Sequence, residues 1–302
     1  MPSESERMQR RISNLKLARV LQPAETSILN LKSSLRFLRD NCPSLDEFAD
    51  FLYKPEFLPL INLAVVLHKD EKRKATSDPY MKHILLTTYY VYKQIEKEKL
   101  TDSQKRAIIG ASLVHDYIEI RQKKDIKYKD NELHEKLSSI GIDQLEANEI
   151  FLMVRFDTPP PKPDDMSGYK RKNAKREDFE KIMNITANDV FENYQATFSF
   201  ISASEISLED AEMMSRYIKE IKIADMAAIL KETYEDMLTG KDGNNDVSLN
   251  ELRPLSERIE VFQDRLEILK LRFKRHRLLS QMKLDLGYLL LMLTYSNKKQ
   301  TS

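Results

Sequence analysis

Two histidines and two aspartates have the types and surroundings from which a metal site is built. His115-Asp116 lies in the apolar stretch GASLVHDYIEI, His83 follows the pair Pro79-Tyr80, and Asp225 interrupts the apolar run IKIADMAAIL. A carboxylate among apolar neighbours is costly to bury unless it is paired, protonated or bound to a cation. Imidazole nitrogens with carboxylate oxygens form a borderline donor set that suits manganese, iron or zinc and suits calcium less well. Four ligands, His83, His115, Asp116 and Asp225, leave coordination positions for water and substrate. Glu119 stands one helical turn beyond His115 and so shares its face, where a carboxylate can carry a proton. Taken singly, a histidine on an apolar face is more often a packed core residue, and the context of these residues is what separates the two readings.

The elements that must position them read as helices. Residues 5–40 carry helical apolar spacing (Ile12, Leu15, Val20, then Ile28, Leu31, Leu35, Leu38), and Ser44 with Glu47 marks a helix start. Pro55 and Pro59 break the chain before the apolar run Leu60–Leu67. Asp78-Pro79 reads as a cap and first helical position for the helix that carries His83. Thr101 with Gln104 forms a capping-box signature, and the spacing predicts one helix from there through His115, Asp116 and Glu119. Prolines 159, 160, 161 and 163 exclude helix between Phe156 and about Gly168, and with the basic stretch YKRKNAKR that follows they read as a long loop. Ser207 with Asp210 caps a later helix whose apolar face runs through Met214, Ile218, Ile221, Ala224 and Ala228, with Asp225 at its edge. Leu255–Leu293 reads as one or two further amphipathic helices. Between them, DGNNDVSLNE has calcium-loop spacing, but Val247 replaces the turn glycine and Arg253 the bidentate glutamate, so a polar turn is the better reading.

Composition sets the class. Gly occurs only 6 times in 302 residues while 32% are charged and 41% hydrophobic, which predicts an all-α protein. With 49 basic against 48 acidic residues the net charge is +1, which provides no overall field to select nucleic acid or acidic lipid; Lys170–Arg176 alone is a weak argument for nucleic acid. Cys42 has no disulfide partner, and no secretory leader or spanning segment is evident, so the expectation is a cytoplasmic protein. The expected organisation is an N-terminal helical extension over 1–58, a central domain over 59–240 with an insertion within 164–215, and C-terminal helices over 247–302 packed on that domain.

The segment AVVLHKDEKRKATSDPYMKHI, through Ala64, His68, Arg73-Lys74, Pro79-Tyr80 and His83, resembles the opening of the hydrolase domain of the RelA/SpoT alarmone family. SLVHDYIE resembles that family's Leu-Leu-His-Asp-x-x-Glu-Asp, and IKIADMAAIL its Val-Lys-Leu-Ala-Asp. The likeness covers residues 60–125 and 216–232 well and 150–176 loosely, and nothing resembles the synthetase half of the bifunctional members. The chain departs from the pattern at two positions. Ile120 stands where the family has an acidic residue, and Ile229 where it has an asparagine, both positions that place or activate water.

The resemblance implies an HD-type helical bundle holding one divalent ion, manganese with iron or zinc as alternatives, on His83, His115, Asp116 and Asp225. It implies an enzyme that removes diphosphate from the 3′ position of guanosine tetra- or pentaphosphate, with Glu119 moving the proton and Arg73, Lys74 and Lys162 binding the nucleotide. Two other readings stand beside it. One is an HD hydrolase acting on a different nucleotide; the other is a metal- or nucleotide-binding helical scaffold without turnover, with the terminal helices offering a surface for a homo-oligomer or a protein partner.

Overall fold

Thr101 and Gln104 show how locally the helices are set. The Thr101 hydroxyl accepts from the Gln104 backbone N–H at 3.2 Å while the Gln104 amide oxygen accepts from the Thr101 N–H at 3.0 Å, so two orphan donors at a helix start are met reciprocally. Ser207 and Asp210 do the same at 3.0 and 3.2 Å. The computed structural model describes residues 28–68, 79–124, 129, 131–161, 166, 168–198, 206–238 and 255–300. It is all-α: among the described residues there is no strand. No helix among them is long and apolar enough to cross a membrane.

Two units are distinguished, each discontinuous in sequence. The first contains α1 (Ile28–Asn41), α2 (Leu45–Leu52), α3 (Leu58–Leu67), α4 (Met81–Ile95), α5 (Asp102–Leu113), α6 (Tyr117–Lys124), α7 (Glu132–Ser139), α8 (Gln144–Asp157) and α10 (Ala187–Phe198). The part of α11 (Leu208–Leu238) up to Ile221 also belongs to it. At its centre α5 packs between α4 and α8, and every residue from Ala107 to Leu113 is buried. A helix buried all round signals a core position. Gly110 makes the close approach possible: a Cβ there would stand 2.7 Å from Ile150 Cδ1 and 3.0 Å from Leu60 Cδ1. On α4 the residues from Met81 to Tyr89 are likewise buried. The described end of the N-terminal stretch is part of this unit, with α1 packed on α4 and Lys82 lying over the Phe37 ring at 4.1 Å.

The second unit contains α9 (Gly168–Asn184), α11 from Lys222 onward, α12 (Leu255–Arg272) and α13 (Arg277–Gln300). Phe179 of α9 is buried beneath the Arg265 guanidinium of α12, 5.2 Å from the ring centroid. Tyr234 and Tyr288 stack at 5.5 Å, joining α11 to α13. The expectation of amphipathic helices beyond Leu255 holds as α12 and α13.

Four local expectations are corrected. The predicted helix through His115 is broken: α5 ends at Leu113 and α6 begins at Tyr117, with residues 114–116 forming a turn. The basic stretch after the prolines is not loop but the first half of α9. There Lys172 pairs with Glu260 at 2.9 Å and Asp264 at 3.5 Å, and Arg176 with Glu180 at 3.1 Å, so helix-face ion pairs absorb charges that sequence alone left without partners. Ser44 occupies an N-cap position without capping; its hydroxyl instead lies 3.3 Å from that of Tyr89. Pro79 precedes the helix it was expected to open, because Tyr80 is the N-cap residue of α4. Asp78 and the polar turn around Val247 lie outside the described residues.

Candidate metal centre

His83 sits in the first turn of α4, where its backbone N–H donates to the Tyr80 carbonyl at 2.9 Å. His115 and Asp116 come from the turn between α5 and α6. The turn itself helps to prepare the ligand. A continuous helix would commit the Ser112 carbonyl to the Asp116 N–H. Here His115 Nδ1 lies 2.8 Å from that carbonyl oxygen. A carbonyl can only accept, so Nδ1 carries a proton and donates it, which leaves Nε2 as the ring nitrogen on the far side from that carbonyl.

Nε2 is the nitrogen beside Asp116. It lies 3.4 Å from Asp116 Oδ2, close enough for a proton or a metal ion to be shared between the two atoms. Ligand atoms of His83, His115 and Asp116 all lie within 4.8 Å of one another, and the three residues are 1%, 1% and 9% exposed. The His83 and His115 rings are 5.6 Å apart at 58°. The donor set fits a divalent transition metal on two counts. The N···O edge of 3.4 Å matches about 2.1 Å bonds at a tetrahedral angle. A second-shell bond from a ligand imidazole to a backbone carbonyl is also the usual way such a ring is oriented.

Around these three stands an aromatic wall that sequence reasoning did not assign to the site. The Tyr80 hydroxyl donates to Asp116 Oδ2 at 2.8 Å. Its ring stacks on His68 at 4.7 Å and 7° and meets His83 edge-on at 5.4 Å and 70°. His68, one of the residues that carry the resemblance, is fully buried against Tyr80. The sequence signals for Tyr80 were its place in the Pro79-Tyr80 element of the resemblance and its spacing, three residues ahead of a ligand at the same helix start.

The remaining candidates are distributed as follows. Glu119 is half-buried in the first turn of α6. Because the helix is broken between them, the one-turn rule that set Glu119 on the face of His115 does not apply. Ile120 beside it is buried. Asp225 belongs to the second unit, where its carboxylate lies 3.5 Å from Lys222 Nζ, one turn earlier on α11. Ile229, a turn further on, is half-buried. Arg73, Lys74 and Lys162 lie outside the described residues. His134, away from these candidates, bonds Asn148 at 2.7 Å, which in turn donates to the Tyr194 hydroxyl at 3.0 Å, a tie from α7 through α8 to α10. His276 caps α13 by accepting the Leu278 N–H at 3.2 Å.

No protein-family model matches the chain, and neither does any curated protein or solved structure. The functional reading therefore stands on the residues and their geometry.

Proposed function

We propose that this protein is an HD-type, divalent-metal-dependent phosphohydrolase of nucleotide polyphosphates, acting on the 3′-diphosphate of guanosine tetra- or pentaphosphate. The observation that carries the reading is the convergence of His83, His115 and Asp116, brought from two segments 32 residues apart onto one buried point. These are three of the four positions at which the resemblance puts metal ligands, and Asp225 is the fourth ligand in this reading. A bound divalent ion supplies Lewis acidity toward a phosphoryl oxygen and makes water a competent nucleophile near neutral pH.

The rest of the chemistry belongs to the side chains. His115, whose Nδ1 donates to the Ser112 carbonyl, is oriented with Nε2 as the nitrogen that would ligate the ion. Glu119, half-buried and so within reach of solvent, takes the proton of the attacking water or returns one to the leaving oxygen. Arg73 and Lys74 meet the base or the phosphates, the planar guanidinium being able to stack on a purine, and Lys162 covers the polyphosphate.

A second reading draws on Ile120. The position where the family carries an acidic residue is here an apolar side chain packed into the first unit, which favours a scaffold that holds a metal or a nucleotide without turning it over. One experiment separates the two: metal analysis of the purified full chain, followed by measurement of diphosphate release from guanosine tetraphosphate. Bound metal with diphosphate release supports the enzyme, and bound metal with release of phosphate from other nucleotides moves the substrate. Bound metal with no hydrolysis favours the scaffold, and a protein that retains no divalent ion overturns the metal reading.

A further inference from the structure

We propose that Tyr80 is a positioning residue of this centre: its phenol holds the Asp116 carboxylate in the orientation in which it ligates a divalent ion. The inference rests on the metal reading above and adds to it a residue to which the resemblance assigned no role.

The geometry begins at one oxygen. Asp116 Oδ2 accepts the Tyr80 hydroxyl at 2.8 Å and stands 3.4 Å from His115 Nε2. A carboxylate oxygen has two lone pairs. One of them accepts the phenol O–H, and that bond fixes the direction in which the carboxylate would present itself to an ion shared with His115 and His83. Without that donor the carboxylate could rotate about its last bond, a broad and soft torsion, and exchange its two oxygens.

The phenol is itself held on two sides. His68, buried completely, stacks flat on the ring, and His83 stands edge-on to it, so the ring cannot swing without opening both contacts. Its backbone is fixed as well, because the Tyr80 carbonyl accepts the N–H groups of His83 at 2.9 Å and Ile84 at 3.3 Å. One residue therefore ties the first turn of α4, which carries one ligand, to the turn before α6, which carries two. Outer-shell donors to a ligating carboxylate act in this way, and removing one weakens metal binding on the order of 10- to 100-fold.

The test uses the full chain and manganese(II) alone, titrated calorimetrically into wild type, Tyr80→Phe and Tyr89→Phe. Tyr80→Phe keeps the ring against His68 and His83 and removes only the hydroxyl. Tyr89→Phe removes a phenol of the same helix whose hydroxyl lies at Ser44 instead, and so controls for the general loss of a buried hydrogen bond. The expected result is a loss of manganese affinity on the order of 10- to 100-fold for Tyr80→Phe and wild-type affinity for Tyr89→Phe. The cobalt(II)-loaded forms should show altered d–d absorption only for Tyr80→Phe, since that signal follows ligand geometry and not fold stability. Wild-type affinity and spectrum in Tyr80→Phe overturn the proposal, and so do equal losses in both variants. Failure of wild type to bind manganese, zinc or cobalt overturns the metal reading and this inference together, a result visible in the wild-type titration before any variant is compared.

Discussion

The first unit buries two carboxylates in opposite ways. Asp116 has a donor and a second ligand type beside it: the Tyr80 hydroxyl donates to its Oδ2 at 2.8 Å, and the His115 Nε2 lies 3.4 Å from the same oxygen. Glu149 on α8 is 4% exposed, and its electrostatic neighbours are other acids, Asp210, Glu146 and Asp143. Burial first, and those charges second, push its carboxyl up to about 8. Its neighbour Glu146 is also raised by burial, although Arg106 donates to it at 3.0 Å and opposes the shift. The lesson is that burial alone does not make a site. Where donors and lone pairs converge, a carboxylate is kept ready for a cation; where only acids gather, a proton is the cheapest counter-charge.

The largest effect is expected from breaking the first region. Asp116→Asn removes the charge at the convergence and should abolish metal retention and any hydrolysis, as read by metal analysis after desalting. Asp225→Asn should do the same, and a full equivalent of retained metal in that variant would take Asp225 out of the ligand set. Glu119→Gln sharpens the division between binding and chemistry: the metal should stay while the rate falls on the order of 10²–10⁴-fold. An unchanged rate removes Glu119 from proton transfer.

The second region makes a prediction of its own. Glu149 has a folded pKa of about 8 against an ordinary value of 4.5, so between these limits the folded state holds more protons than the unfolded one. Stability must then fall as pH rises through that window, and Glu149→Gln, neutral throughout, should remove the fall. The variant should gain on the order of 1–3 kcal/mol over wild type at pH 8–9 and little near pH 4, measured by denaturant unfolding at each pH. A wild-type protein whose stability rises from pH 5 to 8, with no gain in the variant, would mean that Glu149 is ionised inside the fold. The smallest effect belongs to Thr101→Ala, which deletes half of a capping box far in sequence from either acid and should cost about 1 kcal/mol with metal affinity unchanged. It gives the scale against which the site variants are read.

Much of this was legible beforehand. The capping boxes at Thr101 and Ser207 could be read because a cap is a contact between residues three apart, set by local backbone geometry. The buried stripe Met214, Ile218, Ile221, Ala224 and Ala228 was legible for the same reason, since a helical period repeats whatever it packs on. The break at 114–116 was not. Neither glycine nor proline marks it, and apolar residues continue through Leu113, Val114, Tyr117 and Ile118, all of them buried on both sides of the turn. The basic stretch of α9 was misread in the opposite direction: proline excluded helix up to the start of the element, and the acids that pair with Lys172 come from α12, 88 residues away for Glu260.

By itself the sequence determined that the chain is helical, where several helices begin, and that imidazoles and carboxylates lie where burial without purpose is costly, because capping, period and desolvation are properties of residues and their near neighbours. Only the tertiary structure decided that His83, His115 and Asp116 share one point, that the His115 imidazole takes the Ser112 carbonyl, and that Tyr80 stands over the aspartate. Those are distances between segments, fixed by how α4 and α8 pack on α5, and no local rule contains them.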